Sequence, residues 1–80
     1  MEKLSQSEKK VLKIIKDEVK PFCKNRILIL LRNKYNSYLE FKVVDKIVDG
    51  LCEKGYLKDV GLLPNKYIEI ATRHFIIIKK

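Results

Sequence analysis

The stretch SYLEFKVVDKIVDGLCEKGYL, residues 37–57, decides the fold. Its apolar side chains recur at helical spacing and lie close to one stripe, which is formed by Leu39, Val43, Val44, Ile47, Val48 and Leu51. Such a stripe is typical of an amphipathic helix that packs one face against a core. Ser37 and Glu40 have the spacing of a capping box, and Gly55 is the residue type that ends helices in a left-handed conformation. The pattern predicts a helix over residues 37–54.

A β-hairpin is predicted directly after this helix. Residues 56–60 and 67–71 read YLKDV and YIEIA, and they contain the aromatic and β-branched side chains that strands favour. Turn-forming residues lie between them, in GLLPNK at residues 61–66. We therefore expect the hairpin over residues 56–71. The last apolar run, FIII at residues 75–78, is expected to form a third strand or a short docking segment.

Another helix is predicted near the start of the chain, where Ser5 and Glu8 again have the spacing of a capping box. Apolar residues follow near helical spacing at Val11, Leu12, Ile15 and Val19. Lysines lie largely on the other face, where solvation is their expected role: Lys9, Lys10, Lys13, Lys16 and Lys20. Pro21 is expected to end this helix, because the residue before a proline is pushed out of the α region.

Residues 27–31, ILILL, are continuously apolar, so periodicity alone does not distinguish a helix from a buried strand. The flanks favour a helix from Asn25 to Tyr35, because Asn25 can cap it and no glycine or proline follows within that range. Residues 22–24 are expected to form a short extended link. A helix that is apolar all round must be buried on more than one side, which indicates a partner surface in so small a domain.

Length and composition indicate one globular domain over residues 1–80. The chain is 46% hydrophobic and 35% charged, a balance typical of folded proteins. It has 18 Lys and Arg against 10 Asp and Glu, a net charge of +8, and a small basic domain of this kind usually binds a polyanion. These figures exclude a multidomain enzyme, a transmembrane protein and a disulfide-rich secreted scaffold. Because the start lacks a secretory signal, we expect a cytoplasmic protein, in the host cell if the source is viral.

Catalysis and metal binding are not expected from this sequence. His74 is the only histidine, and neither Cys23 nor Cys52 is spaced to suggest a Cys–His nucleophile pair or a metal site. No glycine-rich phosphate loop is present. We therefore expect no enzyme activity, no cofactor, no metal and no small-molecule substrate. The two cysteines are expected to be free thiols in a reducing compartment, with a disulfide as the alternative for a hyperthermophilic source.

The order of three helices followed by a hairpin is that of a winged helix-turn-helix domain. The pattern LSxxExxVLxxI at residues 4–15 resembles the first helix of winged-helix transcription regulators. VDKIVDGLCEKGYL at residues 44–57 is similar to the end of the recognition helix and the following Glu-Lys-Gly passage in multiple-antibiotic-resistance-type and arsenic-repressor-type regulators. The resemblance covers about residues 4–71, and small winged-helix proteins of archaea and their viruses have similar size and composition.

The resemblance implies an α+β winged helix-turn-helix fold, with three helices followed by a β-hairpin wing. It also implies that helix 37–54 enters the DNA major groove and that hairpin 56–71 contacts the backbone or the minor groove. The chain departs from the family pattern in its unusually apolar second helix. Its third helix is also not strongly basic, because Lys42 and Lys46 on the outward face are matched by Asp45 and Asp49.

The expected DNA contacts lie at the start of the second helix, around the N-terminal end of the third, and on the wing. Asparagine bonds base edges, lysine bonds phosphate or guanine, and helix N–H groups favour phosphate. The alternative for each position is an ordinary solvated surface. The candidate residues are Lys24, Arg26, Asn36, Ser37, Tyr38, Phe41, Lys42, Lys46, Lys58, Asn65, Lys66 and Arg73.

The sequence thus predicts a double-stranded DNA-binding protein that acts as a homodimeric transcription regulator, without a membrane partner. Apolar residues in excess of the core predict that the homodimer is joined through the C-terminal run, the first helix, or both. The alternative function is a winged-helix protein–protein interaction or assembly module without sequence-specific DNA binding. The near-neutral third helix and the apolar second helix favour this alternative.

Overall fold

The computed structural model describes residues 3–79. Three helices come first, α1 (Gln6–Ile15), α2 (Lys24–Tyr35) and α3 (Phe41–Glu53). An antiparallel hairpin of β1 (Leu57–Pro64) and β2 (Ala71–Ile77) follows. The predicted α+β class and the order of the elements are therefore confirmed, and the layout is compatible with a winged helix.

One hydrophobic core joins all three helices to the hairpin. Each helix contributes a stripe of buried side chains, the link between α1 and α2 contributes Phe22, and the hairpin contributes one residue from each strand. The core residues are Val11, Ile14, Ile15, Phe22, Ile27, Leu31, Val44, Ile47, Val48, Leu51, Leu57 and Phe75. Burying one such side chain contributes about 1.5–3 kcal/mol to folding. The apolar face of α3 is thus held against α1 and α2, which leaves the opposite face of α3 in solvent.

α1 is shorter than the sequence predicts. Its capping box is confirmed, because the Ser5 hydroxyl accepts from the Glu8 N–H and the Glu8 carboxylate accepts from the Ser5 N–H. The helix ends at Ile15, however, and Val19 is 93% exposed, so the prediction that the helix continues to Pro21 was wrong. The chain leaves the helix early because Phe22 must reach β2, where it exchanges two backbone hydrogen bonds of 3.0 and 2.8 Å with Phe75.

The connection between α2 and α3 corrects the predicted range 37–54. Asn36 ends α2 in the left-handed conformation with φ 51°, and the Ser37 N–H donates to the Leu31 carbonyl at 3.3 Å. Ser37 therefore belongs to the end of α2, and α3 begins at Phe41 with Glu40 as an N-cap that makes no side-chain bond. The predicted capping box at Ser37 was wrong for this reason.

α2 also begins without the expected cap. Its N-cap is Cys23, which makes no side-chain capping bond. The Asn25 side-chain oxygen instead accepts a hydrogen bond of 3.0 Å from the Asn65 amide, so Asn25 fastens α2 to the hairpin loop. Both cysteines are free thiols, Cys23 buried and Cys52 half-buried.

The hairpin register corrects the predicted range 56–71. Leu57 pairs with Ile77 and Pro64 with Ala71, so residues 65–70 form the loop and the run FIII lies mainly in β2. This register is favoured over a pairing through residues 67–71 because it buries Phe75 and Leu57 in the core. Within β1 the register shifts between Asp59 and Gly61, and Gly61 adopts φ 94°, a conformation that glycine tolerates without strain.

A buried carboxylate ties the start of α1 to the end of α3. One Glu8 oxygen lies 2.7 Å from the Lys54 ammonium, which also donates to the Lys3 carbonyl at 3.0 Å. The Lys54 and Ser5 donors lower the pKa of Glu8 and outweigh the opposing effect of burial. A Cβ atom on Gly50 would lie 2.5 Å from the other Glu8 oxygen, so the glycine leaves the space that this carboxylate occupies.

None of the helices in the described range is both long and apolar enough to cross a membrane.

Candidate nucleic-acid interface

The solvent face of α3 has one exposed stripe that changes sign along its length. Lys42, Lys46, Asp49 and Glu53 are all exposed and follow one another by three or four residues, which places them on one side of the helix. We call these four residues the α3 stripe. Its N-terminal half is cationic and its C-terminal half is anionic. Lys42 lies only loosely against Glu40, at 3.6 Å between two highly exposed side chains.

Asp45 does not add its negative charge to the free surface of this half of α3. Its carboxylate forms an ion pair and hydrogen bond with the Lys24 ammonium, at the first residue of α2. The Lys24 side chain is 19% exposed and also lies over the Phe75 ring, 5.6 Å from the centroid. The pairing changes the charge balance that the sequence suggested, because Lys42 and Lys46 are left as the dominant charges near the start of α3.

Two exposed aromatic side chains lie near the start of α3 in the chain. Tyr38, in the link between α2 and α3, is 71% exposed, and its hydroxyl donates to the Asn36 side-chain oxygen at 3.2 Å. The Arg32 guanidinium lies 5.4 Å from the Tyr38 ring centroid. Phe41, the first residue of α3, is 49% exposed. The predicted residues Tyr38 and Phe41 are therefore both exposed, and Asn36 is bonded to Tyr38.

A hollow of about 340 Å³ lies between the starts of α2 and α3 and the hairpin. The starts of α2 and α3, the hairpin loop and β2 all contribute to its wall: Lys24, Asn25, Phe41, Ile68, Thr72 and Arg73. Three of these were expected as site residues from the sequence. Asn25, Ile68 and Thr72 were missed, because the hollow depends on a hairpin register that local propensity did not indicate.

Two of the predicted hairpin cations are exposed and free of acidic partners within residues 3–79. Lys58 lies in β1, and Lys66 lies in the loop with its ammonium 5.3 Å from the Tyr67 ring centroid. Arg73 differs, because its guanidinium bonds the Asp59 carboxylate at 3.1 Å. Asn65 is buried, and both donors of its amide are used, toward Asn25 and Thr72.

Arg26 is also held within the protein. Its Nε donates to the Glu18 carboxylate at 2.7 Å, and this bond, with one to Tyr67, raises the pKa of the guanidinium. The residue therefore fastens the start of α2 to the segment before Pro21 and to the hairpin loop. No signal in the sequence separated such internally paired cations from Lys42, Lys46, Lys58 and Lys66, since pairing depends on the tertiary arrangement.

No protein-family model, curated protein or solved structure matches this chain. Within residues 3–79, no group of three or more His, Cys, Asp or Glu side chains is placed to hold a metal ion.

Proposed function

We propose that this protein binds double-stranded DNA as a transcription regulator, with the N-terminal half of α3 in the major groove. The observation that carries the proposal is the change of sign along the α3 stripe. Lys42 and Lys46 lie at the end that would meet the bases and phosphates, and Asp49 and Glu53 lie at the end that would point away. Recognition helices of helix-turn-helix proteins contact base edges through their N-terminal residues, so this polarity suits such a docking.

The hairpin supplies the second set of contacts in this proposal. Lys58 and Lys66 are exposed on β1 and its following loop, where phosphate contact needs charge but little fixed geometry. The hollow between α3 and the hairpin gives the DNA backbone a concave surface, with Lys24 and Arg73 in its wall. The first N–H groups of α3 have no side-chain acceptor at Glu40, so a phosphate can approach them once the exposed Glu40 carboxylate turns away.

The candidate residues differ in how freely they can contact DNA. Tyr38, Phe41 and the four exposed lysines named above are the proposed primary contacts. Lys24, Arg26 and Arg73 must exchange an internal carboxylate for a phosphate before they contribute. Asn65 and Ser37 are assigned to the fold, because their hydrogen bonds hold the hairpin loop and the end of α2.

Salt dependence of binding to a mixed-sequence duplex tests the proposal. If about four to six phosphates are neutralised, the logarithm of the binding constant should fall with the logarithm of salt concentration with a slope of about −4 to −5. Fluorescence anisotropy over a salt series measures this slope. Absence of binding at low salt, or a constant that salt leaves unchanged, would reject the electrostatic account.

A protein–protein interaction module is the second candidate function. The exposed apolar side chains of the hairpin favour it, with Leu62 64%, Ile68 41% and Ile70 66% exposed. Apolar surface of this kind is typical of a partner contact. A module of this class would bind duplex DNA no more tightly than any basic protein does. Replacing Leu62 and Ile70 by serine would abolish its binding to the partner protein.

A further inference from the structure

A second surface lies apart from every proposed DNA contact. A groove of about 310 Å³ runs between α1, the residue before its cap and the end of β2. We call it the α1 groove, and its lining is Leu4, Lys9, Leu12, Lys13, Lys16 and Ile77. None of these residues belongs to the candidate DNA-binding set.

The α1 groove combines an apolar floor with a cationic rim. Leu4, Leu12 and Ile77 are half-buried and pack against the hydrophobic core, so each presents its remaining apolar surface to the groove. The rim consists of three exposed lysines on one face of α1, at positions separated by three or four residues: Lys9, Lys13 and Lys16.

The rim lysines have no carboxylate partner within residues 3–79. The ion pairs of this part of the chain use other cations: Lys24, Arg26, Lys42, Lys54 and Arg73. The three rim charges are therefore available to an external anion. Because they flank apolar surface, the complementary ligand carries carboxylates beside apolar side chains.

A second copy of the chain fits this groove poorly. A two-fold contact places the same surface patch of both copies face to face, so the two lysine rims would be brought close together. Like charges brought together across an interface are costly, and the chain has a net charge of +8 to begin with. Charge complementarity favours a partner of the opposite sign.

We propose that the α1 groove binds an acidic amphipathic peptide segment of another protein. Leucine-like side chains at helical spacing lie on the floor formed by Leu4, Leu12 and Ile77, and flanking Asp or Glu side chains pair with the lysine rim. This is the helix-in-groove mode of peptide recognition, with electrostatic complementarity setting the choice of partner. The inference goes beyond DNA binding and does not depend on it.

The test uses the full chain and a fluorescent peptide of about 15 residues with leucine at three- and four-residue spacing among glutamates. Its control is a peptide of identical composition whose leucines do not fall on one helical face. Anisotropy should show the ordered peptide binding about tenfold more tightly than the scrambled one. Equal binding of the two peptides would overturn the proposal, because charge alone would then explain it.

Charge reversal in the protein locates the site. Lys13→Glu should weaken binding of the ordered peptide about three- to tenfold, since an attractive pair becomes a repulsive one. Lys34→Glu makes the same change at an exposed residue of α2 outside the groove and should alter binding less than about twofold. Equal loss in both variants would contradict a site at the groove.

Removal of apolar surface gives a separate readout. Leu12→Ala should weaken binding about fivefold, whereas Val19→Ala, at an exposed apolar residue outside the groove, should leave it unchanged. A thermal melt checks that Leu12→Ala is folded. If it is not, Lys13→Glu still tests the site, because that residue is exposed. Two results would overturn the peptide assignment. The first is that the peptide fails to bind while the protein cosediments with phosphatidylserine vesicles and Lys13→Glu abolishes that cosedimentation. The second is a homodimer that Lys13→Glu or Leu12→Ala converts to a monomer.

Discussion

Gly50 and Glu8 illustrate how a single residue couples two helices. An alanine in place of a glycine within a helix ordinarily stabilises it by about 0.5–1 kcal/mol. At position 50 the added Cβ atom would lie 2.5 Å from one Glu8 oxygen, so the carboxylate must shift while Ser5 and Lys54 hold its other oxygen. Local helix propensity and the contact between helices therefore oppose one another here.

Gly50→Ala should consequently fail to stabilise the protein and should lower the free energy of unfolding by about 1–2 kcal/mol. In a Glu8→Ala background the Glu8 carboxylate no longer lies near position 50, so Gly50→Ala should raise the free energy of unfolding by about 0.5–1 kcal/mol. Urea unfolding of the parent, the two single variants and the double variant gives a double-mutant cycle. An equal effect of Gly50→Ala in both backgrounds would show that Glu8 does not occupy this space.

The ion pair of Glu8 also predicts a dependence of stability on pH. Folding lowers the pKa of Glu8, chiefly through the bond from Lys54, so its contribution is complete above the unfolded pKa and is lost as pH falls through the folded pKa. Parent and Glu8→Gln should therefore differ in unfolding free energy at pH 7, and the difference should shrink well below about pH 4.3, the ordinary pKa of a glutamate. A difference that is constant between pH 7 and pH 3 would contradict this.

At the scale of elements, local signals predicted the helices better than their ends. The capping box at Ser5 and the left-handed Gly55, at φ 83°, were both evident from the sequence and are confirmed. The box at Ser37 had the same pattern but failed, because Asn36 and Ser37 complete the hydrogen bonds at the end of α2. Ser37 could either complete the end of α2 or cap the start of α3. A sequence pattern confined to one helix does not show which of the two bonds forms.

The predicted bounds of the hairpin and the expected charge balance around α3 differ from the structure for a related reason. YIEIA at residues 67–71 has strong strand propensity, yet Ile68 and Ile70 are exposed, because the register that buries Phe75 is the more stable one. The pair between Lys24 and Asp45 likewise joins residues 21 positions apart. The sequence predicted which residue types surround the start of α3, but long-range pairing determines which charges stay accessible there.

The corrected register predicts unequal effects of two substitutions in the hairpin. Phe75→Ala should lower the free energy of unfolding by about 3–5 kcal/mol, since it removes a buried ring and leaves a cavity. Ile70→Ala removes a side chain that is 66% exposed and should change it by less than about 0.5 kcal/mol. Chemical denaturation measures both. The reverse order would restore the register in which residues 67–71 form the second strand.

Across the whole molecule, the positive charge is divided into internally paired cations and accessible ones. Among residues 3–79, the accessible set includes the cationic half of the α3 stripe, the hairpin lysines and the rim of the α1 groove, together with cations outside these surfaces such as Arg32 and Lys34. This division assigns different faces to DNA and to an acidic partner, and it leaves Ile78, which follows β2 outside both faces, for self-association. Ile78, directly after β2, is 55% exposed, whereas a two-fold contact through the lysine face of α1 is electrostatically unfavourable.

The predicted homodimer is accordingly expected to use the C-terminal run. Sedimentation equilibrium at micromolar concentration should give about twice the 9.5 kDa mass of the chain. Ile78→Asp, outside the strand pairing, should give a monomer because it places a charge in the apolar contact. A parent protein that sediments at 9.5 kDa would reject the homodimer.

The central claim is that the N-terminal half of α3 meets DNA, and the two halves of the α3 stripe provide its most direct test. Anisotropy titration of a duplex selected for tight binding compares Lys42→Ala/Lys46→Ala with Asp49→Ala/Glu53→Ala, a control that removes the same number of charges from the same face of the same helix. The account predicts that the lysine variant loses at least about tenfold in affinity, because two contacts to phosphate or guanine disappear. The acidic variant should bind as tightly as the parent or more tightly. Parental affinity in the lysine variant, or an equal loss in both variants, would contradict the account.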